Sequence, residues 1–246
     1  MAAEMRRSGE GHLQLGGVPG RRIIEISDER ETLAEEALRL IADSFPPHDR
    51  HPTYMLRGEI EEKRRGLLLD HNYHLLAMLG TDERPAAVVA GRYLAGLNAG
   101  FVTYLAARPE YRGRKLGRQI RSALVEAFRE DARGMGESDL AWVLGEVRLE
   151  SPWLRMLFRE GQAIPFDLTY YHPGMDLDDG TERYVLYRQP VLDERKVLPT
   201  DEVRQILYAI WRRAYRVPYP LQRPTFRAMI EELEGRETVG AHPEVR

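Results

Sequence analysis

The chain contains no cysteine. That excludes a disulfide framework, a thiol nucleophile and a thiolate metal site, and it fits a cytoplasmic protein. No run approaches eighteen apolar residues, so no segment is expected to span a membrane. The first twenty residues lack the apolar centre of a signal peptide and read as a flexible tail. Neither sign of charge dominates: 36 Lys and Arg stand against 39 Asp and Glu, a formal net charge of −3. No global basic field therefore points to nucleic acid. No G-x-x-x-x-G-K-[ST] run is present, which excludes a Walker loop. There is no internal repeat and no low-complexity block.

What is present is ordinary for a soluble globular protein: 246 residues, 43% hydrophobic and 30% charged. That length suits one large domain or a domain and a half. "RRIIEIS" is a short first strand. "DERETLAEEALRLIADSF" carries Leu33, Ala37, Leu38, Ile41 and Phe45 at helical spacing, and the prolines of "PPHDRHP" end it. "TYMLRGEIEEKRRGLL" is a second, short helix. "YHLLAML" and "PAAVVAGRYLA" read as a hairpin across "GTDER", and "AGFVTYLAA" as a further strand. A helix runs from Lys115 to Gly134, and "LAWVLGEV" is the next strand. "SPWLRMLFREG" is a helix, with Ser151 as N-cap and Pro152 in its first turn. "DLTYYH" and "ERYVLYRQ" are two strands joined by "PGMDLDDGT". "TDEVRQILYAIWRRAYRV" and "PTFRAMIEELEG" are two closing helices. Antiparallel neighbours mixed with crossover helices predict an α/β fold with a mixed, mostly antiparallel sheet flanked by helices. The expected divisions are a tail over 1–20, a main domain over 21–190 and a C-terminal helical extension over 191–246.

The most informative stretch is "RPEYRGRKLGRQI", Arg108 to Ile120. Basic side chains crowd here, although the chain as a whole is slightly acidic. A strand leads in and a helix leads out. A helix start exposes unpaired N–H groups and the positive end of a dipole, where phosphates bind. Gly113 permits a tight turn, and Gly117 leaves the first helical turn open to a ligand. Arg112, Arg114, Lys115 and Arg118 surround that point with charge. An arginine-rich surface helix would explain the charge, but neither the two glycines nor the "PEYRG" lead-in.

"LAARPEYRGRKLGRQI" resembles the acetyl-CoA-binding motif R/Q-x-x-G-x-G/A of the GCN5-related N-acetyltransferase (GNAT) superfamily. Arg112 matches its first position and Gly117 its last, while Lys115 replaces the middle glycine. The resemblance extends over roughly residues 21–190 and points to a bacterial-type branch. It implies that acetyl-CoA is the acetyl-donating cosubstrate. Its pyrophosphate is expected on the loop Arg112, Gly113, Arg114, Lys115, Leu116, Gly117 and Arg118. Its pantetheine arm is expected to pair with Leu105, Ala106 and Ala107.

Amide formation from a thioester needs a proton acceptor for the amine and a proton for the departing thiolate. Glu146 stands near the end of the fifth strand. It resembles the general base of the "EVR" segment in ribosomal-protein alanine acetyltransferases; a strand-end salt bridge is the plainer alternative. The tyrosine that members of the family use as general acid, four residues before a glycine in "LYxxxGF", is missing: "MLFREGQ" has Leu157 there and Phe158 next. Tyr170 and Tyr171 follow in the next strand, on opposite faces. The run from Gly161 to Pro173 resembles a branch with a tyrosine before a proline, which favours Tyr171; core packing is the competing role.

The histidine pairs of "HDRH" and "HNYH" have i, i+3 spacing, but neither lies on a clear helix. No third ligand stands out, so no metal site is expected. The loop over residues 45–57 is expected to cover the acceptor, with His51, Arg57 and His172 as lesser candidates. Trp211, Tyr215 and Tyr219 among arginines read as core or interface, and a homodimer through that helix is a candidate. The expected activity is direct transfer of an acetyl group from CoA to a small-molecule or peptide amine. The alternative is a non-catalytic acyl-CoA-binding or regulatory module. A membrane or nucleic-acid partner is not expected.

Overall fold

A computed structural model describes residues 6–7, 13–15, 22–151, 153, 156, 163–173 and 182–243. Within the segment read as a tail, β1 (Arg6–Arg7) and β2 (Leu13–Leu15) pair with each other and extend the sheet ahead of β3 (Ile23–Glu25). Helices α1 (Thr32–Ser44) and α2 (Thr53–Arg64) follow, separated by the proline-started turn Pro47–Asp49. Strands β4 (His71–Leu79), β5 (Pro85–Leu94) and β6 (Ala99–Ala107) form the expected antiparallel meander. Helix α3 (Leu116–Gly134) then crosses over to β7 (Trp142–Val147), which pairs parallel to β6. After it come β8 (Ile164–Pro165), β9 (Tyr170–Tyr171) and β10 (Arg183–Pro190). The chain closes with β11 (Leu198–Pro199), α4 (Thr200–Ala209), α5 (Pro224–Glu232) and β12 (Thr238–Val239). The sheet order is β1-β2-β3-β4-β5-β6-β7-β10-β8, with β9 also on β10.

The central strand β5 shows why both faces are covered. Every residue of "PAAVVAGRYL" is buried, and, Arg92 excepted, the run is apolar throughout rather than alternating. One face packs on α3 through Leu116, Ile120, Leu124 and Phe128. The other packs on α1 and α2 through Ala37, Leu38, Ile41 and Ile60. The C-terminal helices are not appended to this core but share in it. Val203, Ile206, Trp211, Tyr215 and Phe226 pack on Phe101 of β6, Leu144 of β7 and Leu186 of β10. Among the described residues, no helix is long and apolar enough to cross a membrane.

Candidate active site

Strand β6 carries a bulge. Its register on β5 shifts so that Ala90 faces Tyr104 and Gly91 faces Val102, leaving Thr103 extra. A bulge sharpens the twist and bends the strand. It also changes parity: Phe101 and Tyr104, three positions apart, point to the same face. The parallel ladder between β6 and β7 covers only residues 99–102 and 142–145. Beyond it the strands part. The opening is a cavity of about 930 Å³, lined by Leu105 on one strand and Glu146 on the other, and by Phe45, Asp49, Arg121 and Tyr184 from flanking elements.

The loop from Arg108 to Lys115 ends beside this opening. Arg108 makes a two-point ion pair with Asp82, at 2.8 Å each, and lies over the Tyr111 ring, on which Arg114 also stacks. Tyr111 thereby anchors the loop. Gly113 has φ +75°, a conformation that favours glycine. Lys115 takes the left-handed conformation as the residue before α3, with no side-chain cap on the helix start. At Gly117 an added Cβ would meet only Leu105, at an ordinary 3.5 Å. The fold does not itself need glycine there; the open space is available to a ligand. Arg112, Arg114, Lys115 and Arg118 are exposed and Leu116 is buried. Leu105 lines the cavity. Ala106 and Ala107 pair with Val88 and Ala87 of β5 and pack into the core clusters. Arg121, one turn into α3, ends the basic cluster, but nothing in the sequence marks it as a cavity residue. It is buried and lines the cavity, and its Nε and Nη2 have no hydrogen-bond partner.

Glu146 gathers three donors. The hydroxyl of Tyr170 donates to Oε2, that of Tyr215 to Oε1 at 2.6 Å, and His172 Nδ1 to Oε1 at 2.5 Å. A carboxylate can only accept, so His172 carries its proton on Nδ1. Burial pushes both tyrosines well above their ordinary value, and the Glu146 charge adds to the effect. Both stay protonated and remain donors. The network draws on β7, β9, the residue after it and the turn that follows α4.

The phenol that meets Glu146 is thus Tyr170 and not Tyr171. Tyr171, the next residue, packs against the C-terminal core, with its N–H on Met229 Sδ at 3.4 Å. Leu157 and Phe158 lie outside the described residues. His51 is buried away from the cavity, between Tyr104 and Tyr215. Arg57 donates to the Glu29 carbonyl at 2.6 Å. Trp211 is buried and Tyr219 exposed. Of the histidine pairs, His74 is held by Glu25 and Asp131. His48 converges with Asp49 and Glu182, a grouping the sequence did not reveal.

Residues 34–144 match the family model described as Acetyltransferase (GNAT) family. No curated protein matches the chain in sequence. Among solved structures, a putative acetyltransferase from the GNAT family of Bacteroides thetaiotaomicron is 15% identical, with 77% of this chain and 97% of that one covered and a TM-score of 0.52. RimL, a ribosomal L7/L12 alpha-N-protein acetyltransferase, is 12% identical, with 76% and 98% covered and a TM-score of 0.51. The ribosomal-protein-S18-alanine N-acetyltransferase from Escherichia coli is 16% identical, with 70% and 94% covered and a TM-score of 0.47. The first two share the fold described above. Residues 34–144, which include the loop at the start of α3 and the strands that part beside it, are thus similar to the acetyltransferase (GNAT) family.

Proposed function

We propose that the protein transfers an acetyl group from acetyl-CoA to an amine nitrogen in one direct step. One observation carries the reading: an open, glycine-bearing helix start lies against Leu105, which lines one cavity with the strand-end carboxylate Glu146, between strands that have come apart. The residues fit a CoA ester. The loop from Arg112 to Arg118 would hold its pyrophosphate, by backbone amides and by charge. The outer edge of Leu105, Ala106 and Ala107, which β7 no longer covers, would pair with its pantetheine arm. Arg121 supports the fit, because a buried guanidinium with two unpartnered nitrogens is costly until a ligand oxygen meets it.

The thioester supplies an activated carbonyl with a good leaving group. Glu146 accepts the proton of the attacking amine, directly or through one water, as the N–C bond forms and the C–S bond breaks. Tyr170, Tyr215 and His172 hold its carboxylate in one orientation. Tyr184 protonates the departing thiolate: it lines the cavity, and its hydroxyl accepts from Arg148 Nε at 3.1 Å, which leaves its own O–H to donate. Tyr171 does not line the cavity, so this proposal gives it no proton to carry. No covalent intermediate is required, in keeping with a chain without cysteine.

A thermal-shift titration with acetyl-CoA tests the reading. At 100 times its dissociation constant the ligand should stabilise the wild type by about 2.7 kcal/mol. Gly117→Glu should fold and show no shift. Glu146→Gln should still bind and should lose transfer by about 10²-fold or more. A wild type that ignores acetyl-CoA and longer acyl-CoAs would remove the basis of the reading.

A further inference from the structure

One wall of the cavity is acidic, and it is built. Asp49 ends a turn stiffened by Pro46 and Pro47 and is only 6% exposed. Arg148 Nη2 bonds its Oδ2 at 2.7 Å and Glu182 Oε2 at 2.5 Å. Its Oδ1 is buried and has no hydrogen-bond partner, although Asp49 lines the cavity. His48 Nε2 lies 3.6 Å from Asp49 Oδ1 and 3.4 Å from Glu182 Oε1. Three ligand atoms, one from each residue, lie within 4.8 Å of one another.

We propose that Asp49 Oδ1, Glu182 Oε1 and His48 Nε2 bind an ammonium group of the acceptor, so that the acceptor carries a second positive charge besides the nitrogen that is acetylated. The inference rests on the amine-transfer reading above. A buried carboxylate oxygen without a donor is costly, and an ammonium supplies three donors to three acceptors. The charge count selects a monovalent cation. Two carboxylates against the Arg148 guanidinium leave a net of minus one, which one ammonium cancels and a divalent metal would overshoot. Arg148 also holds one oxygen of each carboxylate, so neither can grip a metal with both of its oxygens. Phe45 and Tyr184 line the same cavity, and aromatic faces favour an organic cation. Glu146, Asp49 and Glu182 line the same cavity, so a diamine seated in it has the base and the cation site on its walls.

The test compares 1,5-diaminopentane with 1-aminopentane on the full chain saturated with acetyl-CoA. The wild type should favour the diamine in kcat/KM by about tenfold or more, the scale of a charge-assisted hydrogen bond. Asp49→Asn should lower that ratio about tenfold. Glu182→Gln, at a half-exposed position, should lower it in the same direction and guards against misfolding of the first variant. A ratio near one, or a ratio that neither variant moves, overturns the proposal. So does tight Zn²⁺ binding that Asp49→Asn abolishes, because the site would then belong to a metal. Calorimetric titration of the diamine into the CoA-bound protein separates the two readings. Diamine binding that Asp49→Asn weakens tenfold upholds the cation site even if no acetyl moves, which overturns only the transfer reading. Transfer to 1-aminopentane without diamine binding does the reverse.

Discussion

His51 holds the inner side of the Glu146 network. Its Nε2 lies 3.3 Å from the Tyr215 carbonyl, which can only accept, so the proton sits on Nε2. Its Nδ1 therefore accepts from the Tyr104 hydroxyl, at 2.8 Å. The ring stacks on Tyr215, with centroids 5.5 Å apart. Burial, and then the Arg92 charge, brings its pKa down to about 3. An unfolded histidine titrates near 6.5. Between those values the unfolded chain binds the extra proton, so stability is lost as pH falls through that window. His51→Gln removes this term. The stability gap between wild type and variant should narrow as pH drops from 7 towards 4, by at most about 1.4 kcal/mol per unit. Urea unfolding at several pH values reads it, and a gap constant across the window would mean that His51 is not held neutral.

At the scale of elements, the decisive part is β6. Its bulge at Thr103 lets the first half serve the parallel ladder with β7 and frees the second half to face the cavity. Helix α3 must lie close against the sheet for the loop at its start to reach that opening. Gly100 and Gly91 allow it. A Cβ at Gly100 would fall inside the Phe128 ring, and one at Gly91 would come within 2.7 Å of the same ring and 2.6 Å of the Phe101 carbonyl. Overfilled cores cost about 1–3 kcal/mol. Gly100→Ala should lower stability by that amount and weaken acetyl-CoA binding as α3 is pushed outward. Chemical denaturation and a ligand titration read the two effects. An unchanged midpoint would show that Phe128 swings aside without cost.

For the whole molecule, the segment after β10 is a working wall of the protein. After α4 the chain forms a π-helical turn, Ile210–Ala214, which delivers Tyr215 to Glu146. Such turns often mark functional positions. Arg216 reaches back to Glu62 and, at 3.5 Å, to Glu59 of α2, while Glu59 also pairs with the buried Arg92. The C-terminal segment and α2 thus lock to each other on one face of the sheet. A chain ended at Asp193 should expose the apolar faces of β6, β7 and β10. It should bind a hydrophobic dye and lose its cooperative melt. A truncated chain that melted like the full one would show that the segment is dispensable for the core.

The sequence by itself determined what depends on neighbours along the chain. The order of helices and strands follows from spacing and from Gly and Pro stops. The loop from Arg112 to Arg118 is legible because its glycines, its charge and the helix start lie within one short stretch. Glu146 is visible as a strand-end carboxylate for the same reason. Only the tertiary structure decided which groups meet there. Tyr215 stands 69 residues from Glu146, and Asp49 stands 99 from Arg148. Burial inverts other readings: His51 looks like a loop residue in "PPHDRHP", yet it is enclosed by Tyr104 and Tyr215. The choice of Tyr170 over Tyr171 turned on a single step along the strand. Local periodicity records the faces of each element, but not which face another element will cover. That choice is made when the sheet twists, β6 bulges and the C-terminal helices close over it.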